Sequence, residues 1–279
     1  MLKWPDERIF QNNSSIPFNS VHNRILDFHG DPVKADLVIF SDGNHHMALN
    51  ESLNLFKSRI EDDINIFYAT TPPKPLVDII NSGKILCGNL EISVKPDIFI
   101  SPEKIIENLS LKGLVKKYHP FMASRCNALL IRKKDGEKIK TLKDALNKNM
   151  NIFISNPKRE NASYSQYLES IYKESDNNEL PDFIYGESIH HREAPEAVFS
   201  GKADCAVVYY HLALRYKRIF PDIFDFIKLG VKGSPKISHI AMMNNSGKFS
   251  EKAYNFLKSE EVSRIYNKHG IDHFPYYQN

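Results

Sequence analysis

The chain has 279 residues, with 37 Lys and Arg against 34 Asp and Glu for a net charge of +3, and is 42% hydrophobic and 25% charged. That is ordinary globular composition, which excludes a disordered or fibrous protein. No apolar run approaches the roughly 18 residues of a membrane span, and so small a net charge without a basic block gives no footing for nucleic acid.

In chain order, residues 1–35 are rich in Asn, Ser and Pro, carry no clear period, and read as a wrapping arm. From there short apolar runs alternate with helical patterns. Strands are predicted at 36–40 (DLVIF), 64–69 (INIFYA), 97–101 (DIFIS), 128–131 (ALLI), 151–155 (NIFIS), 183–186, 205–209 (CAVVY), 226–229 and 237–242. Helices are predicted at 47–59, 75–82, 103–109, 142–147, 164–174, 195–200, 211–219, 250–257 and 260–268. Most of the strands are continuously hydrophobic, which suits strands covered on both faces. The alternation gives an α/β fold with mostly parallel sheets and helices on both faces.

The segment 116–123 (KKYHPFMA) interrupts this alternation, and a second charged break spans 232–236 (KGSPK). If both breaks are crossings, one lobe is 1–121 plus 236–279 and the other is 126–230, with crossovers near 122–125 and 231–235. Ligands in such folds bind at the C-terminal ends of the strands, here in a cleft between the lobes. Cys87, Cys126 and Cys205 are odd in number and lie in or beside apolar runs, so they read as buried small residues rather than a disulfide framework. The N-terminal residues show no apolar stretch of signal-peptide type, leaving a cytoplasmic location or a removed leader.

Four strand-to-helix junctions share one chemistry: Ser41-Asp42-Gly43-Asn44-His45-His46, Thr70-Thr71-Pro72-Pro73, Ser155 through Asn161, and Ser188 through Glu193. Ser, Thr, Asp and Asn suit helix caps, and Gly43 lets the backbone turn and approach a ligand. Helix N-termini present unpaired N–H groups and partial positive charge, so several aimed at one place would hold a compact anion.

The order of DLVIFSDGNHHM, FYATTPP, KPDIFIS, ISNP, HHREAP, GKADCAVVY and the terminal Tyr266-x-x-x-Gly270 resembles bacterial solute-binding proteins similar to the molybdate-binding family. The resemblance covers about residues 36–275. It implies a type II periplasmic-binding-protein fold that closes by hinge motion on a small anionic solute: a molybdate-like oxyanion, a carboxylate or a phosphonate. It also implies a role as the solute-binding component of an ABC-type transporter, a periplasmic location, and no catalysis or cofactor. By position, contacts would come from Ser41, Gly43, Asn44, Thr70 and Thr71 in one lobe. The other would give Asn156, Glu160, Asn161, His190, His191, Arg192 and Tyr209, with Arg125 as a charge partner. Protonated His191 beside Arg192 would strengthen anion binding as pH falls. Asp42 and the His45-His46 pair depart from that family's pattern.

Two alternatives stand beside this reading. His46, His190 and Glu193 could ligate a transition metal such as zinc. Cys126 or Cys205 with a histidine could serve as a nucleophile, although no Gly-x-Ser-x-Gly, phosphate-loop, dinucleotide or His-Glu-x-x-His motif occurs. A monomer that neither inserts in a membrane nor binds nucleic acid is expected.

Overall fold

A computed structural model describes residues 1–4, 27–60, 62–87, 89–174, 180–187, 190–230 and 236–274. Most of the expected arm, the expected crossover at 231–235, and Ser188 and Ile189 lie outside the described residues. In chain order the elements are β1 (Asp27–His29), β2 (Leu37–Ser41), α1 (His46–Arg59), β3 (Ile66–Thr70), α2 (Pro73–Ser82), β4 (Lys84–Cys87), β5 (Leu90–Ser93), β6 (Ile98–Pro102), α3 (Glu103–Leu111) and β7 (Val115–Ser124). They continue with β8 (Asn127–Arg132), α4 (Leu142–Asn147), β9 (Ile152–Ile154), α5 (Asn161–Glu174), β10 (Phe183–Tyr185), α6 (His190–Ser200), β11 (Cys205–Tyr209), α7 (Tyr210–Ile219) and β12 (Phe224–Lys228). The last are β13 (Ile237–Met243), α8 (Ser250–Leu257), α9 (Glu260–Lys268) and β14 (Ile271–His273).

The chain divides into two units. The first is Glu7–Ala123 with Lys236–Asn279; the second is Ser124–Pro235 with Met1–Asp6. Residues 1–4 therefore group with the second unit, whereas the sequence reading places them with the first.

The first unit is built on a seven-stranded sheet in the order β1-β3-β2-β6-β13-β7-β14. Its centre is parallel, β3 beside β2 and β2 beside β6, and antiparallel strands flank it, so the sheet is mixed. Alternate residues of β2, β3 and β6 send Leu37, Ile39, Ile66, Tyr68, Ile98 and Ile100 toward α1, α8 and α9. Val38, Phe40, Phe67, Ala69 and Phe99 face α2 and α3. Both faces are covered, which is why these strands read as unbroken hydrophobic runs. Asp97 pins the start of β6: its carboxylate accepts from Val38 N–H (2.7 Å), Gly247 N–H (2.6 Å) and Ser250 Oγ (2.8 Å). Gly30 is required sterically. It has φ +92°, and a Cβ there would lie 2.2 Å from the Ile66 carbonyl oxygen.

Residues 116–123, expected to break the pattern, instead form most of β7. Its charged and half-exposed middle hides the strand from a hydrophobicity reading. Pro120 sits opposite His239, where the register with β13 shifts, one of the few places a strand tolerates a residue without an N–H.

The second unit has a five-stranded sheet in the order β10-β9-β11-β8-β12, parallel across β10, β9 and β11 and antiparallel beyond. α6 and α7 cover one face and α4 and α5 the other. α4 begins with a capping box in which Thr141 Oγ1 accepts from Asp144 N–H while the Asp144 carboxylate accepts from Thr141 N–H. Leu2 is buried in the α6–α7 core, its N–H donates to Glu196, and Trp4 packs edge-on against Tyr216 and Phe220. Pro195 does not open α6, as its sequence position suggests, but lies inside it. A proline has no N–H to give the carbonyl four residues back, here that of His191. The Tyr216 hydroxyl donates to that carbonyl instead.

Candidate functional site

In the first unit, β2 and β3 run parallel with Ser41 opposite Thr70, so their C-terminal ends bring two hydroxyls together. Ser41, Thr70 and Thr71 are all buried. Sequence reasoning makes them helix caps, but the caps of α1 and α2 are His45 and Pro72, and neither uses a side chain. The Ser41 hydroxyl donates to the Asp42 carbonyl (3.2 Å), and Thr71 N–H donates to the Ser41 carbonyl (3.1 Å). Thr70 Oγ1 has no hydrogen-bond partner among the described residues. Ser101, at the end of β6, is fully buried and its Oγ equally has no partner among the described residues, although it belongs to the row facing α2 and α3. A buried hydroxyl left so costs about 1–3 kcal/mol, which a solute oxygen would recover.

The turn at 42–45 folds over these strand ends: Asp42 N–H donates to the Ile100 carbonyl (2.9 Å), and the Asp42 carbonyl accepts from His45 N–H (3.2 Å). Gly43 and Asn44 lie in this turn. Gly43 is not held at positive φ, and a Cβ there would meet the Thr71 backbone at an ordinary 3.8 Å, so the turn itself does not demand glycine.

In the second unit, the loop after β9 carries the candidate residues. Asn156 is its keystone: Nδ2 donates to the Gly186 carbonyl (3.0 Å), and Oδ1 accepts from Lys158 N–H (3.0 Å). Its amide is already engaged in holding the loop. Ser155 is fully buried, and its Oγ has no partner among the described residues. Glu160 precedes α5 and reaches across to α6, where Oε2 accepts from His190 N–H (2.8 Å). A carboxylate there complements the helix dipole. Burial, then the nearby Glu193 carboxylate, raises the pKa of Glu160. Asn161 opens α5 and is exposed. Tyr209 ends β11, with its hydroxyl 3.2 Å from Ser163 Oγ and its ring edge-on to Tyr167.

His190 is buried, stacks on Phe153 at 5.3 Å, and donates from Nε2 to the Val207 carbonyl (2.7 Å). Burial pulls its pKa down to about 4. Burial, followed by the positive charges of Arg192 and Arg215 among its neighbours, takes His191 down to about 3. Burial thus works against the protonated His191 that the sequence reading set beside Arg192. Arg192 is exposed on α6, along a cavity of about 300 Å³ that it lines with Glu193, Glu196 and Lys202 as well as apolar groups. Two cationic and two anionic side chains there balance. Arg125 is half-buried in the link between β7 and β8.

The metal reading meets a different arrangement. The His45 ring is buried beside Phe121 and Tyr266, and His46 stacks on His29 at 5.1 Å. Glu193 accepts from Glu187 N–H (3.2 Å). Among the described residues no group of three His, Cys, Asp or Glu side chains is placed to hold an ion.

Residues 37–272 match the bacterial extracellular solute-binding protein family. The chain belongs to that family. No curated protein matches it in sequence. Among solved structures it resembles the substrate-binding domain assigned to a molybdenum ABC transporter of Clostridium difficile, with 15% identity, TM-score 0.61, and 85% of this chain and 97% of that chain covered. It also resembles the periplasmic molybdate-binding protein of Azotobacter vinelandii, at 15% identity, TM-score 0.56, and coverage of 84% and 98%. A third is PEB3, a Campylobacter jejuni protein, with L-phospholactate bound, at 16% identity, TM-score 0.55, and coverage of 85% and 99%. These likenesses establish the fold. A solute-binding protein is a binder and not an enzyme. Burial pushes the Cys205 thiol up to about 12, which disfavours the thiolate a nucleophile needs. No helix among the described residues is long and apolar enough to cross a membrane.

Sequence reasoning missed Ser101 and Ser163. Ser101 was legible as the hydroxyl ending the third parallel strand, next to those ending with Ser41 and Thr70; Ser163, within α5, gave no signal.

Proposed function

We propose that this solute-binding protein captures a small oxyanion or organic anion outside the cytoplasmic membrane and delivers it to an ABC-type transporter. Family membership supports solute capture, and relatives of this fold include proteins described as binding molybdate and L-phospholactate. The observation that carries the anion reading is the set of buried strand-end hydroxyls without partners among the described residues, Thr70 in the first unit and Ser155 in the second. Hydroxyls and backbone amides can hold a desolvated anion without a matching cationic side chain. Ser41, Gly43, Asn44, Thr71, Tyr209 and Arg125 are proposed to complete the contacts, with Asn156 acting through the loop it holds.

Titration calorimetry against molybdate, tungstate, sulfate, phosphate and small carboxylates tests this reading. At least one anion should bind, and Thr70→Ala and Ser155→Ala should each weaken it about tenfold, or about 1.4 kcal/mol. Neither variant should lower the melting temperature of the ligand-free protein, because neither hydroxyl is used within it. Absence of anion binding, or variants that bind as wild type, would overturn the reading.

A further inference from the structure

Glu160 stands where the second unit is expected to meet its solute, yet it is an acceptor with little to accept. Among the described residues, the one hydrogen bond its carboxyl receives is from His190 N–H at Oε2, and no Lys or Arg is paired with it. The charge that acts on it is of its own sign, the Glu193 carboxylate. Ser155 Oγ, on the loop that leads to Glu160, is buried with no partner among the described residues, and the hydroxyls of Ser163 in α5 and Tyr209 at the end of β11 lie 3.2 Å apart. The second unit therefore offers hydroxyl donors together with one carboxylate still able to take a proton donor.

A bare oxyanion sets oxygen lone pairs and negative charge against that carboxylate. An anion that carries its own O–H accepts from the hydroxyls and donates to Glu160. We propose that Glu160 is a specificity-determining residue that favours anions bearing an O–H donor, a protonated oxyanion or a hydroxy acid, over bare anions of similar size. The inference rests on the anion reading and deepens it. Leaving a buried acceptor unmatched is what lets a polar site reject a ligand that lacks the complementary hydrogen.

The test is calorimetry on the full chain near neutral pH with two matched pairs, hydrogenphosphate against sulfate and lactate against propionate. Wild type should prefer the O–H-bearing member of at least one pair by about tenfold or more. The pair that discriminates tells a protonated oxyanion from a hydroxy acid. Glu160→Gln keeps an acceptor, removes the charge and adds N–H donors, so the preference should collapse, chiefly through tighter binding of the bare anion. Wild type binding both members of each pair within about threefold would overturn the role of Glu160 while leaving the anion reading standing. An unchanged ratio in a folded Glu160→Gln would do the same. Binding of molybdate or tungstate but of none of the four would overturn the role of Glu160 alone, and failure to bind any of these anions would overturn both. The wild-type comparison decides the matter even if the variant does not fold.

Discussion

Tyr216→Phe probes how the second unit holds the helix that presents His190 to Glu160. Pro195, six residues into α6, gives the His191 carbonyl no N–H, and the Tyr216 hydroxyl fills that place. Tyr216 is 1% exposed, so no water can replace the lost donor without rearrangement. Removing the hydroxyl leaves a buried carbonyl unpaired, at a cost of about 2 kcal/mol. With a urea m-value of about 2 kcal/mol/M, the unfolding midpoint should fall by about 1 M. A double-mutant cycle isolates the cause. Pro195→Ala restores an N–H at the position that bonds the His191 carbonyl, so Tyr216→Phe should cost about 1 kcal/mol less in that background. Equal costs in both backgrounds would show that the hydroxyl matters for some reason other than the missing proline donor. A cost below about 0.5 kcal/mol in wild type would refute the hydrogen bond's contribution altogether.

Two further outcomes follow from the same structure. Gly30→Ala, at φ +92° and with its new methyl 2.2 Å from the Ile66 carbonyl oxygen, should cost more than about 3 kcal/mol in a denaturant titration, because backbone rather than a flexible side chain must move. Stability should also fall as pH drops from about 6.5 toward 4. His190 and His273 have folded pKa values lowered to about 4 by burial, so between those limits the unfolded chain binds more protons than the folded one. Their contribution is full above the unfolded pKa and is lost as pH falls through the folded one; midpoints measured across that range should decline, and a flat profile would contradict the burial argument.

The parallel centre of each sheet was legible because burial on both faces leaves an unbroken hydrophobic run: β2, β3, β6, β9 and β11 lie within a residue or two of their expected places. What escaped notice had other supports. β1 and β14 have three residues each and polar members, the β4–β5 hairpin leaves Leu86 and Leu90 exposed, and β7 carries Lys116, Lys117 and Pro120 through a strand anchored by Phe121, Met122 and Ala123. α6 was expected to start at Pro195 because proline usually marks a helix beginning; the compensating donor, Tyr216, is 21 positions away and belongs to another helix. The candidate site divides along the same line. Residue type placed hydroxyls and amides at the strand ends, since parallel strands in register must finish together. Residue type could not tell a hydroxyl that caps a helix from one left over, nor an Asn156 amide engaged in its own loop from one open to solute. It also read His191 as an available cation, where burial favours the neutral imidazole, and it could not show that Glu160 pairs with no Lys or Arg among the described residues. In the proposed reading, recognition chemistry is set by which polar groups the fold leaves unmatched, and that remainder exists only after every local hydrogen bond has found its place.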